Sequence, residues 1–200
     1  MLEGGENFGK SFQSEGIKEY FIDRKLPFIS VREPGQTEQG KLMRHILQER
    51  KDFNLHPLTE ILIYSGDRVE TFSKIIIPSL EKGINVLEDR SWPSTKVYQG
   101  KLGGLDDTHK GLVDYLNGIA TFGILPDKLF ILTGNQRELI KKTETKDRME
   151  EKVSKNPELI DEGYLEIAKR YPDISILISY QEGNPEAMQK EIRNHLEKIL

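Results

Sequence analysis

The chain has 200 residues and a formal net charge of −4 at pH 7, from 29 basic against 33 acidic side chains. This acidic balance argues against nucleic acid as the main partner, since proteins of that class usually carry a basic excess. The chain has no cysteine, which excludes disulfides, zinc sites built on thiolates and cysteine nucleophiles. We expect a cytoplasmic protein with no membrane partner, because no signal peptide is visible and no apolar run approaches the ~20 residues of a membrane span.

A glycine-rich octapeptide near the start of the chain fits the pattern G-x-x-x-x-G-K-[ST] at every fixed position. Glycines allow backbone N–H groups to surround a phosphate, the lysine places its charge against the β and γ oxygens, and the serine hydroxyl ligates Mg²⁺. The pattern predicts an ATP site that follows a first strand truncated to three residues and precedes a helix. The octapeptide consists of Gly4, Gly5, Glu6, Asn7, Phe8, Gly9, Lys10 and Ser11.

Further along the chain, apolar β-branched runs alternate with amphipathic stretches. Such alternation predicts an α/β fold with a parallel sheet wrapped by right-handed crossovers, and no change in composition indicates a second domain within residues 1–200. A polar stretch at about 136–156 is expected to form a mobile lid. Strands are predicted at 26–31, 84–87, 129–132 and 174–179, and later helices at 58–80, 108–122, 159–171 and 185–200.

Charged residues follow the predicted strands at the edge where such a sheet binds ligands. Asp89, at the end of a buried strand, is the candidate to hold Mg²⁺ or its waters beside the phosphate loop. Arg32, Arg68 and Arg90 recur near strand ends or in a helix, and a planar guanidinium suits phosphate because it donates two parallel hydrogen bonds. Together they predict a second anion site that faces the first.

Longer motifs connect these residues to a known family. The run from Arg32 to Thr37 resembles R-E-P-G-G-T, with Gln36 in place of the second glycine. The run from Asp89 to Gly100 resembles D-R-Y-x-x-S-x-x-A-Y-Q-G, and 64–68 resembles F-A-A-D-R. With the phosphate loop, these segments resemble thymidylate kinase, of the nucleoside monophosphate kinase group. The resemblance runs from residue 2 to about residue 171.

The resemblance implies transfer of the γ-phosphate of ATP to dTMP, with Mg²⁺, in a three-layer P-loop fold with a five-stranded parallel sheet. It also implies a homodimer. Lys10, Glu6 and Arg90 would be catalytic, with Arg148 as the candidate lid arginine. The residues that would contact dTMP are Arg32 and Arg90 at the phosphate, Tyr64 stacked on thymine, Arg68 at the base edge, Thr95 and Gln99 along the pocket, and Tyr98 near the deoxyribose.

Departures from the family pattern leave two alternatives open. Tyr64 and the run 91–93 alter the pocket, which would suit a related monophosphate kinase of different base specificity. The phosphate loop has no arginine, Asn7 and Phe8 make it bulkier, and the lid offers mainly lysines, which would suit a catalytically impaired nucleotide-binding homologue. Ranking a panel of monophosphate acceptors by kcat/KM tests the first alternative. Nucleotide binding without phosphoryl transfer would indicate the second.

Overall fold

The computed structural model describes residues 1–50, 52–105, 107–140 and 148–200, with the backbone alone described at 107, 108, 110, 148–150 and 152. The strands are β1 Leu2–Gly4, β2 Phe28–Arg32, β3 Asn85–Asp89, β4 Leu129–Thr133 and β5 Ser175–Ser179. The helices are α1 Lys10–Asp23, α2 Glu38–Arg44, α3 Pro57–Thr71, α4 Ile77–Leu80, α5 Trp92–Thr95, α6 Asp107–Ala120, α7 Gln136–Ile140, α8 Arg148–Lys155, α9 Glu158–Arg170 and α10 Pro185–Leu196. Three π-helical segments continue α2, α3 and α5, at His45–Glu49, Phe72–Ile76 and Lys96–Lys101.

The five strands form one parallel sheet in the order β2-β3-β1-β4-β5. The predicted α/β fold with a five-stranded parallel sheet is therefore confirmed. The short first strand lies at the centre, where Leu2 pairs with Asp89 of β3 and with Phe130 of β4. Because β1 lies between β3 and β4, the loops that leave its carboxyl end open into the crevice where such sheets bind ligands.

Helices cover both faces of the sheet. On one face α1 and α10 contribute Ile17, Phe21 and Ile192 to a core that includes Leu2 and Phe130. On the other face, Tyr164 and Ile167 of α9 and Val97 pack against Ile131. These apolar stripes recur at helical spacing, so burial of the stripe explains why each segment folds as a helix against the sheet.

The boundaries of several elements differ from the sequence prediction for local reasons. β2 begins later than predicted because the Leu26 N–H donates to Phe21 O at 2.9 Å, which ends the preceding helix. The sequence prediction missed α2, although Thr37 caps it by accepting a 2.9 Å hydrogen bond from Gly40 N.

The stretch expected to form a lid contains α7 and α8, and the predicted lid residues Lys141, Lys142 and Lys146 lie outside the described residues. None of the helices in the described part of the chain is long and apolar enough to cross a membrane.

Candidate active site

The phosphate loop connects β1 to α1 with three residues at positive φ. Gly4 has φ +142°, Gly9 has φ 80° and Asn7 has φ 64°. Asparagine is among the few residues that tolerate the left-handed region, so Asn7 can take this conformation with little strain. The bulk of Phe8 does not fill the cleft, because its ring is 1% exposed and packs at 5.6 Å from Tyr180.

Lys10 begins α1 and turns its amino group back beneath the loop. Its Nζ donates to Gly4 O at 3.0 Å and also to Gly5 O. Burial and the neighbouring Arg90 lower the pKa of Lys10 to about 8, against the opposing charges of Glu6 and Asp89. Lys10 is therefore half-buried in the interior of the loop.

Glu6 joins the phosphate loop to the motif that follows β3. Its Oε1 accepts hydrogen bonds from Arg90 Nη2 at 2.7 Å and from Tyr98 OH at 2.8 Å. Burial alone would raise the pKa of Glu6, but the charges of Arg90 and Lys10 with the Tyr98 hydrogen bond lower it to about 2. Glu6 is therefore a carboxylate at neutral pH and remains the counter-charge of Arg90.

Arg90 lies in a left-handed conformation, with φ 65°, immediately after β3. A non-glycine residue at such an angle is strained, and such strain is often concentrated at functional sites. Its Nη1 also lies 3.2 Å from Ser94 Oγ, 3.3 Å from Tyr98 OH and 3.4 Å from Gly4 O. Despite its burial, the carboxylate of Glu6 raises the pKa of Arg90, so its positive charge is permanent.

A cavity of about 120 Å³ opens beside this ion pair. It brings together all the residues that were predicted to contact dTMP, although they come from three separate segments of the chain. Arg32 is exposed at its mouth, with Nε 3.6 Å from Asp89 Oδ2. Its lining consists of Glu6, Arg32, Glu33, Pro34, Arg44, Gln48, Tyr64, Arg68, Arg90, Ser91, Ser94, Thr95, Tyr98 and Gln99.

Arg68 lies at the bottom of this cavity and is 1% exposed. Its Nε donates to Glu33 Oε2 at 2.9 Å, its Nη1 to Asn117 Oδ1 at 2.7 Å and its Nη2 to Thr95 Oγ1 at 3.1 Å. Burial raises the pKa of Glu33 well above its usual value, although Arg68 opposes the shift. The prediction that Arg68 shares one anion site with Arg32 and Arg90 stays a prediction, and the structure shows Arg68 in a buried polar network with these three partners.

Glu3 supports the Arg90 motif, although sequence analysis gave it no role. It is fully buried in β1, and its Oε1 accepts from Ser91 N at 2.7 Å. Its Oε2 accepts from Ser94 Oγ at 2.7 Å and from Tyr164 OH at 2.9 Å. The sequence did offer a signal, which was an acidic residue inside the strand that leads into the phosphate loop. A carboxylate buried in such a strand requires hydrogen-bond partners, so Glu3 was a candidate for a supporting role.

The two predicted magnesium ligands lie at the same edge of the sheet. Ser11 is exposed in the first turn of α1, and Asp89 ends β3 beside β1. Asp89 Oδ1 is buried and has no hydrogen-bond partner among the described residues, as expected of an oxygen that contacts a cation or its water. No cluster of three His, Cys, Asp or Glu side chains occurs in the part of the chain that is described. The unpartnered oxygen of Asp89 fits Mg²⁺, which usually takes one or two protein ligands together with phosphates and waters.

Arg148, the candidate lid arginine, is the first residue of α8, and its side chain lies outside the described residues. Arg137, at the start of the same stretch, forms an exposed ion pair with Glu158 at 2.9 Å.

Comparison with known proteins finds a family that matches almost the whole chain. The profile of the family described as "Thymidylate kinase" matches residues 2–192. The chain belongs to the thymidylate kinase family. It is a dTMP kinase, an ATP-binding phosphotransferase of nucleotide biosynthesis. The family typically uses ATP together with Mg²⁺.

Individual relatives carry the same description. The thymidylate kinase of Thermoanaerobacter sp. is 33% identical over 203 residues, which cover 100% of this chain and 97% of that protein. The thymidylate kinase of Gloeobacter violaceus is 36% identical over 176 residues, or 86% of this chain and 81% of that protein. The crystal structure of thymidylate kinase from Ehrlichia chaffeensis has a TM-score of 0.78 at 28% identity and covers 98% of this chain and 96% of that chain.

Proposed function

We propose that this member of the thymidylate kinase family binds Mg²⁺-ATP at the loop 4–11 and dTMP in the 120 Å³ cavity, and that the γ-phosphate passes directly between them. The products are ADP and dTDP. The observation that carries the proposal is the 2.7 Å bond between Glu6 and Arg90, because it joins the proposed donor site to the proposed acceptor site. Phosphoryl transfer depends mainly on positioning and charge neutralisation, which such a contact provides.

On the donor side, backbone N–H groups of the loop and the amino end of the 14-residue helix α1 would surround the triphosphate. Lys10 would exchange its bonds to Gly4 O and Gly5 O for the β and γ oxygens. Its burial favours this exchange, because a half-buried ammonium gains more from an anion than one in water does.

Ser11 and Asp89 would hold Mg²⁺ at this edge of the sheet, with Ser11 as a direct ligand and Asp89 in contact with the ion or its waters. The ion supplies neutralisation of charge on the β- and γ-phosphates. The chain's own contribution is to orient these two oxygens beside the loop, and the unpartnered Asp89 Oδ1 supports the assignment.

On the acceptor side, Arg32 and Arg90 would hold the phosphate of dTMP, whose oxygen is already ionised and requires no general base. Tyr64 would stack on thymine, and Arg68 would donate to the base edge with N–H groups that its three protein partners leave over. Thr95 and Gln99 would line the pocket, with Tyr98 near the deoxyribose.

We further propose that residues 1–200 act as a single kinase domain and that the stretch at about 136–156 closes over the donor phosphates. Arg148 would then supply the guanidinium that the phosphate loop lacks. An arginine in this role stabilises charge on the transferring group and excludes water from it.

The direct test is a coupled assay of ADP release with dTMP, dUMP and other monophosphates as acceptors. We expect dTMP to have the highest kcat/KM. A different acceptor in first place would favour altered specificity, and the absence of turnover with every acceptor would refute the proposal.

A homodimer is also proposed, through the outer faces of α3 and α6. The exposed fractions of Tyr115, Ile119 and Phe122 are 66%, 51% and 52%, and Leu62 on the neighbouring α3 is 57% exposed. Exposed apolar side chains of this size on neighbouring elements commonly mark an interface. Tyr115→Glu should convert the dimer to a monomer in sedimentation velocity, and a monomeric wild type at micromolar concentration would exclude the dimer.

A further inference from the structure

Gln136, the first residue of α7, contacts the phosphate loop at the backbone of Glu6. Its side chain is fully buried, and its Nε2 donates to Glu6 O at 2.9 Å. Glu6 is thus held at two points, its carboxylate by Arg90 and Tyr98 and its carbonyl by Gln136. Because C=O and N–H point in opposite directions in a trans peptide, the bond from Gln136 sets the plane of the peptide between Glu6 and Asn7.

The fit between this side chain and the loop is close. A Cβ placed on Gly5 would lie 1.8 Å from Gln136 Oε1 and 2.9 Å from Phe8 Cε2. The amide of Gln136 therefore packs directly against Gly5, and a side chain at that position would displace it. Gln136 Oε1 is buried and has no hydrogen-bond partner among the described residues, so the donation to Glu6 O is the polar interaction that its side chain makes there.

Gln136 is itself anchored in the helical layer. Its backbone N–H donates to Asp161 Oδ2 of α9 at 2.9 Å. Burial raises the pKa of Asp161, and the bond from Gln136 opposes this shift. One residue thus connects α9 and the start of α7 to the backbone of the phosphate loop at Glu6.

We propose that Gln136 is a positioning residue that couples the ATP site to the dTMP site, an inference that rests on the proposed function. Gln136 fixes the backbone of Glu6 and thereby the carboxylate that orients Arg90 and Tyr98 toward the acceptor phosphate. Binding of ATP at the loop then favours the Arg90 geometry that binds dTMP, and the effect is reciprocal because linkage requires it.

Calorimetry on the full chain tests the coupling directly. The dissociation constant of dTMP is measured with and without saturating β,γ-imido-ATP and Mg²⁺. In the wild type we expect the analogue to tighten dTMP binding about 5-fold or more. In Gln136→Met, which keeps length and volume but cannot donate, this factor should approach one. The kcat should fall about 10-fold, and the KM of dTMP at saturating ATP should rise by about the coupling factor that is lost.

Gln13 provides a matched control. It too is fully buried, its Nε2 donates to Pro185 O at 2.9 Å, and its Oε1 has no hydrogen-bond partner among the described residues. Gln13→Met should lower the melting temperature about as much as Gln136→Met but should keep the coupling factor and kcat within about 2-fold of the wild type.

Three results would overturn the coupling role: no coupling in the wild type, unchanged coupling and kcat in Gln136→Met, or equal losses in Gln13→Met. If Gln136→Met does not fold, Gln136→Asn, whose amide is too short to reach Glu6 O, is held to the same criteria. A wild type that does not phosphorylate dTMP refutes the proposed function instead. A wild type that is active but shows any of the three results refutes only the role of Gln136.

Discussion

Glu6 accepts a 2.7 Å hydrogen bond from Arg90, a residue 84 positions later in the chain. The side chains are 20% and 14% exposed, so the pair is largely shielded from water. The bond fixes the guanidinium at the junction of the loop and the cavity, where its remaining N–H groups face Ser94 and Tyr98.

Arg90→Lys tests this geometry. A lysine is a point charge without the planar fork, so it cannot bind Glu6 and an acceptor phosphate with the same orientation. We expect kcat/KM for dTMP to fall about 10²-fold while the KM for ATP changes little, as measured by steady-state kinetics. Arg24→Lys, in a surface pair with Glu197 at 2.7 Å, is the control and should behave as the wild type. Equal losses in both variants would contradict the assignment.

Lys10→Met should reduce kcat about 10²- to 10³-fold, because the variant loses the charge that we propose to face the β and γ oxygens of ATP. The variant also loses the bonds to Gly4 O and Gly5 O, so we expect a small decrease in melting temperature. Lys18→Met on the same helix, paired with the exposed Glu15, serves as control. Near-normal turnover in Lys10→Met would exclude Lys10 from the donor site.

The pKa of Lys10, lowered to about 8 from 10.5, predicts opposite effects of pH on stability and activity. Between these values the unfolded chain binds more protons than the folded one, so the contribution of Lys10 to stability rises with pH. A neutral amine cannot neutralise phosphate, so kcat/KM for ATP should decline above about pH 8, since this parameter reports the free enzyme. A profile of kcat/KM for ATP that stays flat across this window would be inconsistent with the assignment.

Removal of Arg68 should be costly, because it leaves Glu33 buried without its partner. Arg68→Met is expected to lower the free energy of unfolding by about 3–5 kcal/mol, measured by urea denaturation. The double variant with Glu33→Gln should recover part of this loss, and a simple sum of the two single effects would argue against direct coupling. In folded Arg68→Met, the KM for dTMP should rise more than the KM for ATP.

Burial raises the pKa of Glu88 to about 7, and its Oε1 has no hydrogen-bond partner among the described residues. The folded state therefore binds the proton more tightly than the unfolded chain, and stability decreases as pH rises from about 4.5 to about 7. Glu88→Gln should raise the free energy of unfolding by about 1–3 kcal/mol at pH 8 and have little effect near pH 4. The exposed Glu81→Gln is the control, and equal stabilisation at both pH values would contradict the mechanism.

Local patterns along the chain determined the elements and the motifs. The alternation of β-branched runs with amphipathic stretches was sufficient to predict the parallel sheet, because each pattern depends only on the period at which side chains face the core. The glycine-rich octapeptide indicated a phosphate loop for a similar reason, since loop curvature and the start of α1 are local. The sequence prediction missed α2 because the capping residue Thr37 lies inside a functional motif, where it did not suggest the start of a helix.

The tertiary structure alone decided which of these residues meet. The order β2-β3-β1-β4-β5 brings Glu6 to Arg90, and Gln136 to a carbonyl 130 residues away. The spacing of residues along the chain does not predict these contacts, because they depend on the order of the strands in the sheet and on how the helices pack against it. The tertiary structure likewise places Lys10 beneath the loop and Arg68 beside Glu33. The electrostatic environment and the solvation of each side chain depend on residues that are distant in sequence.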